Sequence, residues 1–224
     1  MKKIFSVMAI ALLATGLFAK TWTNNVGVGF TVPISTIGID KSGADDIFQV
    51  GYGVKGFYLG YHQNGFTVRA AESLGLATSK DIKLQDRDTN LGFFSNLDLG
   101  AGYSFIRDDK MTLSLLGMIG LDIGAYSTSR SSTYGNKSAD LTATLGYAMF
   151  SVGADAYFAF KFKPSFGLYA DVACRYLVAG GSFGETEYEY KNGSKTETVK
   201  FDTTDGDLRG KFRIQPSIGV VWSF

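Results

Sequence analysis

The chain has 224 residues, 22 of them Lys or Arg and 21 Asp or Glu, for a net charge of +1. That balance, with no clustering of basic residues, excludes the electrostatic footprint of a nucleic-acid binder. A single cysteine, Cys174, excludes an internal disulfide and any CxxC metal or redox motif, and 28 Gly, 18 Phe and 12 Tyr against 3 Pro favour sheet.

The first segment reads MKKIFSVMAIALLATGLFAKTW. Lys2 and Lys3 precede an apolar run from Ile4 to Phe18, shorter than the ~20 residues a spanning helix needs. This is the layout of a secretory signal peptide, expected to occupy residues 1–19 with cleavage after Ala19, although Leu17 departs from the small-x-small pattern. Residues 20–224 are expected to form one domain, and no further apolar run in them is long enough for a membrane helix.

Read with a period of two, this domain contains eight strands in chain order, approximately Asn25–Ser35, Phe48–Tyr61, Gly65–Ala77, Leu91–Phe105, Met111–Ser127, Leu141–Phe162, Phe166–Phe183 and Gly210–Phe224. The connections alternate in length. His62–Gly65, Ile106–Lys110 and Lys163–Ser165 are short, and Asn64-Gly65 has the composition of a tight hairpin whose central residues take positive φ. Thr36–Ile47, Thr78–Asn90, Thr128–Asp140 and Gly184–Arg209 are long, polar and rich in Ser, Thr and Gly. Short turns on one rim and long loops on the other are the pattern of an outer-membrane barrel.

Alternation within the strands supports that pattern. Val26, Val28, Phe30 and Val32 share a face of the first strand. In the fourth, Leu97, Leu99, Ala101, Tyr103 and Phe105 oppose Asn96, Asp98, Gly100, Gly102 and Ser104. In the fifth, Leu113, Leu115, Ile119, Leu121 and Ile123 oppose Thr112, Ser114, Gly120, Asp122 and Tyr126; the sixth and seventh behave likewise. The second strand changes phase near Lys55 and Gly56, and the third puts Glu72 in line with Phe66 and Val68, so β-bulges are expected at both places. In the last strand, FRIQPSIGVVWSF, Phe212, Ile214, Pro216, Ile218, Val220, Trp222 and Phe224 form one apolar row. Pro216 cannot donate a ladder bond there, which predicts a bulge or a missing bond.

Period two alone does not say which face is inside. A soluble barrel turns its apolar face inward and a membrane barrel turns it outward. The polar rows decide. They are mostly Gly, Ser, Ala, Thr and Tyr with one or two charges per strand, whereas a soluble surface carries about 25–35% charged residues. Rows this poor in charge suit the narrow lumen of an eight-stranded barrel. The expected fold is all-β, an eight-stranded antiparallel up-and-down transmembrane β-barrel.

On its signal peptide, eight strands, loop asymmetry and terminal VVWSF, the chain resembles small outer-membrane β-barrel proteins of diderm bacteria, of the OmpA-transmembrane, OmpX and OmpW kind, over its whole mature length. Its Gly- and Tyr-rich strands are also similar to those of an uncharacterised family of treponemal outer-membrane proteins. The resemblance implies a seat in the bacterial outer membrane. It also implies that Ile218, Val220, Trp222 and Phe224 are the C-terminal signal read by the barrel-assembly machinery.

The candidate site is a set of inward-facing charges from seven of the eight strands: Lys55, Arg69, Asp98, Asp122, Asp155, Asp171, Arg175 and Arg213. Opposite charges in a confined lumen must pair, because an uncompensated buried charge costs several kcal/mol. The expectation is a salt-bridge plug, with a narrow polar conduit as the alternative. No enzyme is expected: the only histidine, His62, falls in a short turn, away from the outer rim where a His-based dyad would act. No cofactor, metal cluster or phosphate-cradling loop is visible either. Asp108 and Asp109 read as solvated turn residues, and Cys174 as a small apolar residue facing lipid. ETEYEYKNGSKTETVKF, centred on Asn192 and Gly193, predicts a hairpin extending strands seven and eight beyond the membrane, whose edges could pair with another protein. Tyr188 and Tyr190 are its contact candidates. Two functions stay open: a plugged structural or surface-interaction protein, adhesin-like, and a narrow channel for small or apolar solutes. The expected partners are outer-membrane lipid, the assembly machinery and a host or surface ligand, with the protein itself a monomer.

Overall fold

A computed structural model describes residues 21–39, 47–81, 90–134, 137–192 and 195–224. The signal peptide, its cleavage site and parts of the long connections lie outside the described residues. Among the described residues nine strands run in chain order: β1 (Trp22–Thr31), β2 (Ile34–Ile39), β3 (Ile47–His62), β4 (Phe66–Asp81), β5 (Asn90–Arg107), β6 (Met111–Tyr134), β7 (Lys137–Lys163), β8 (Phe166–Asn192) and β9 (Lys195–Ser223). From β3 to β9 each pairs antiparallel with the next. β1 and β2 both pair with β3 on one side and β9 on the other, so they form one stave and the nine strands close into an eight-stave barrel. Closure leaves no open edge at membrane depth, which hydrocarbon would not tolerate.

The break between β1 and β2 explains Pro216. Pairing runs through Thr31↔Ser217 and resumes at Ile34↔Ile214 without a change of register. Between them the Val32 N–H donates to the Pro216 carbonyl at 3.1 Å, and the return bond is missing because proline has no N–H. Pro33 withholds a donor from β3 in the same way, while its carbonyl accepts from Gly51 at 2.8 Å. The cost of Pro216 is thus a missing bond, placed where the facing stave is already interrupted.

The bulges expected near Lys55–Gly56 and Glu72 are absent, since the ladders of β3 with β1 and β4, and of β4 with β5, run without a shift. The phase of β3 is constant. Phe57, Leu59 and Tyr61 point into the lumen with Lys55, so large apolar side chains inside the barrel imitated a phase change. Glu72 stays on the outward row with Phe66 and Leu74. Register shifts occur instead at Ser35/Ile37, Ser104/Ile106, Phe150/Ser151, Lys161/Lys163 and Ser182/Gly184. The turn after β3 also differs from expectation. It is a three-residue loop in which Gly65 takes a φ of 97° and donates to the His62 carbonyl at 2.8 Å, a type of closure that needs only one left-handed residue. In the next turn Asp108 Oδ1 accepts from the Lys110 and Met111 backbone amides at 2.8 and 2.5 Å, a local structural role.

The outward rows are apolar and exposed on every stave, among them Phe30, Val54, Leu74, Leu99, Ile119, Phe158, Val172 and Ile218. Aromatic residues crowd both ends. Phe66, Tyr103, Phe105, Phe160, Phe162, Trp222 and Phe224 lie near the short turns, and Phe48, Tyr52, Phe93, Phe150, Tyr176 and Phe212 toward the other rim. On β4 the outward row from Phe66 to Leu76 spans ten residue-to-residue steps. At ~3.3 Å per residue and a tilt near 40°, that is about 25 Å, the height of a barrel's lipid-facing band between its aromatic girdles. Cys174 is exposed on this surface.

Strand length is uneven around the barrel. β3, β4 and β5 have 16, 16 and 18 residues, whereas β6 to β9 have 24, 27, 27 and 29. The surplus continues as a four-stranded sheet above the rim opposite the short turns, paired from Thr128↔Ala143 to Tyr134↔Lys137, from Thr144↔Glu185 to Lys137↔Asn192, and from Glu185↔Asp202 to Asn192↔Lys195. Residues 128–140, expected to be a loop, are therefore mostly strand: Ser and Thr pair well enough in a sheet whose neighbour supplies the partner backbone. The β8–β9 hairpin is present and its ladder runs out to Asn192↔Lys195; Gly193, expected at its turn, lies outside the described residues.

Candidate functional site

Alternation sends Lys55 on β3, Arg69 on β4, Asp98 on β5, Asp122 on β6, Asp155 on β7, Asp171 and Arg175 on β8, and Arg213 on β9 into the lumen, where all are buried. They meet in a single file of alternating sign. Lys55 Nζ lies 3.0 Å from Asp171 Oδ2, and Asp171 also pairs with Arg69. Arg69 Nη1 continues to Asp155 Oδ2 at 3.2 Å, and Asp155 Oδ1 forms an ion pair with Arg175 Nη1 at 2.6 Å. Arg175 Nε donates to Asp98 Oδ1 at 2.9 Å, Asp98 accepts Arg213 Nη2 at 3.1 Å, and Arg213 ends on Asp122. Four cations and four anions cancel, and each inner member holds two partners. Arg175 Nη1 also donates to the carbonyls of Ala154 and Cys174.

The file lies between two apolar layers. Toward the short turns, Phe57, Leu59, Tyr61, Leu116, Met118, Tyr157 and Tyr169 form one cluster, with the Arg69 guanidinium 4.8 Å above the Phe57 ring and 5.2 Å from that of Tyr157. Toward the outer rim, Ile37, Phe94, Tyr126, Tyr147, Met149 and Leu177 form the other. Uncharged polar groups fill the remaining space. Gln215 Nε2 donates to Thr31 and Ser73 hydroxyls at 2.9 and 2.8 Å, and Tyr147 and Ser35 hydroxyls donate to Gln49 Oε1 at 2.9 and 3.0 Å. Beside the outer layer is a void of about 10 Å³ bordered by Ser35, Gln49, Asn96, Asp122, Tyr147 and Arg213. It has room for one water, and Asp122 Oδ2 and Arg213 Nε beside it lack protein partners.

Parity along each strand brings together all eight charges read from the sequence. The apolar layers and the two buried glutamines, Gln49 and Gln215, were missed. The signal for them was the parity of β3 itself: with Lys55 inside, Gln49, Phe57, Leu59 and Tyr61 follow at even spacing. The row Ile218, Val220, Trp222 and Phe224 faces outward at the rim of the short turns, where Phe224 exchanges backbone bonds of 3.1 and 3.0 Å with Asn24 and Trp222 packs 5.8 Å from the Phe166 ring. Tyr188 and Tyr190 lie on β8 in the sheet above the rim, at backbone positions paired with Leu141 and Ala139 of β7; the Tyr188 side chain lies outside the described residues. His62 packs against Trp22 at the opposite end. Among the described residues no group of three or more His, Cys, Asp or Glu is placed to hold a metal.

An eight-stave barrel with an apolar outer belt between aromatic girdles and a polar, packed interior is an integral outer-membrane β-barrel. No protein-family model and no curated protein sequence matches the chain. Among solved structures it is similar to a major outer membrane protein from Thermus thermophilus, with 10% identity and a TM-score of 0.54 over 89% of this chain and 99% of that one. It is also similar to the outer membrane protein OprG from Pseudomonas aeruginosa, with 12% identity and a TM-score of 0.53 over 92% of this chain and 97% of that one. At such identities the likeness is one of fold.

Proposed function

We propose that this protein is a sealed outer-membrane barrel that acts at the cell surface through the sheet of β6 to β9 above the membrane, as a structural or adhesin-like surface-interaction protein. The carrying observation is the unequal strand length: β6 to β9 run for 24 to 29 residues, against at most 18 in β3 to β5. Pairing in a projecting sheet presents backbone donors and acceptors to a partner that adds a strand. Tyr188 and Tyr190 are its proposed contact residues, and the outward row ending in Phe224 is the proposed assembly signal.

The test replaces residues 128–143 and 185–207 by short turns. The trimmed barrel is expected to keep heat-modifiable migration in detergent, which reports closure, while bacteria displaying it lose adhesion to cultured epithelial cells that the full chain supports. Equal adhesion by both would defeat the surface reading.

A second reading, a narrow channel for small or apolar solutes, draws on the interrupted seam at Pro33 and Pro216, a weak place in the wall through which an apolar molecule could pass sideways. Planar-bilayer recording separates the two. The sealed barrel is expected to be electrically silent, because two apolar layers and the charge file block the lumen in series. Single-channel steps that change with Asp122→Asn or Arg175→Gln would favour the channel.

A further inference from the structure

Between its two aromatic girdles, the described outward face carries one acidic or basic side chain, Glu72 on β4. It lies six residues above Phe66 and four below Leu76, close to the middle of the lipid-facing band. Across the ladder it faces Gly56 on β3 and Leu97 on β5. Its carboxyl has no hydrogen bond or ion pair with any described residue. The nearby Tyr58 hydroxyl is committed to Asn24 Oδ1 at 2.7 Å. Beside Glu72 the wall is recessed: a Cβ added to Gly56 would meet nothing within 4 Å. An ionisable group at this depth in hydrocarbon is costly and calls for a partner that lipid tails cannot supply.

We propose that Glu72 and the recess at Gly56 form a lateral interface with a second copy of this chain in the membrane. A twofold axis along the membrane normal sets a patch against itself and brings Glu72 opposite Glu72 at equal depth. A carboxyl that carries its proton is both donor and acceptor, so two facing carboxyls satisfy each other. The described lipid-facing belt has no Lys, Arg or His to offer instead, so complementarity between copies rests on this residue alone. Gly56 and Ala70, small and outward beside it, let the two walls approach closely enough for that contact. This arrangement replaces the monomer expected from the sequence, and it holds whether or not the projecting sheet binds a surface ligand.

The test is photobleaching-step counting of the fluorescently labelled mature protein in phosphatidylcholine vesicles over a series of protein-to-lipid ratios. Wild type is expected to show two steps at the higher ratios. Glu72→Gln, whose amide is also self-complementary, is expected to stay within about twofold of wild type, whereas Glu72→Leu weakens pairing roughly tenfold, as loss of about 1–2 kcal/mol of polar contact between membrane segments requires. Gly56→Leu fills the recess and is expected to weaken pairing with the carboxyl intact. Heat-modifiable migration shows that each variant is folded. Single-step bleaching of wild type at every ratio would overturn the proposal, as would unchanged pairing of Glu72→Leu. A monomeric wild type that crosslinks at position 72 to a different membrane protein in cells would also overturn it.

Discussion

Asp98→Ala is expected to destabilise the barrel by about 3–5 kcal/mol in urea unfolding from lipid vesicles, the range for leaving a buried charge without its counter-ion. Asp98 is 1% exposed and stands inside the file, accepting Arg175 on one side and Arg213 on the other. Its removal leaves Arg175 with Asp155 and Arg213 with Asp122, so both guanidinium groups lose a partner while buried. Lys55→Met at the end of the file is the control. Asp171 keeps its pairing with Arg69 when Lys55 is lost, and methionine fills much of the vacated volume, so the cost should be clearly smaller. Equal costs at Asp98 and Lys55 would mean that the eight residues act as separate pairs. The effect of Asp98→Ala should also vary little with added salt, because screening reaches exposed charges far more than buried ones.

Ile119→Arg is expected to cost about 2–4 kcal/mol in the same assay, the range for a basic residue near the bilayer midplane on the outside of a barrel. Ile119 is 51% exposed on β6 and pairs with Leu99 and Val152, both on outward rows. In water such an exposed position would accept arginine at almost no cost. The substitution therefore reports which solvent surrounds the barrel, and a change under about 0.5 kcal/mol, the usual range for a surface site, would refute the membrane-facing orientation.

The two substitutions sit on opposite sides of one alternation, and that alternation was legible in the sequence. Leu97, Leu99 and Leu121 against Asn96, Asp98 and Asp122 could be sorted into two faces from spacing alone, because successive side chains on a strand point to opposite sides whatever lies around them. The scarcity of Lys and Glu on the polar face then assigned that face to the lumen. β3 was harder to read: in an eight-stave barrel the interior is filled by side chains, and nothing requires them to be polar, so Phe57, Leu59 and Tyr61 inside looked like a change of phase. Glu72 was misread for the converse reason, since a polar residue in an apolar row suggests a bulge unless the ladder is seen to be unbroken.

By itself, then, the sequence determined the eight staves that cross the membrane, the faces most of them turn to lipid and lumen, and the eight charges that enter the lumen, all consequences of a local two-residue period. Only the tertiary structure decided that the charges line up as one file, from Lys55 to Asp171 and on to Asp122. Arg69 on β4 reaches Asp171 on β8 across the lumen, and β4 and β8 share no ladder. Such a meeting depends on how the staves are staggered when the sheet closes, a property of the whole ring that no single strand carries. The same holds for Glu72: its place in an apolar row suggested a bulge, and the unbroken ladders of the closed barrel turn it toward lipid.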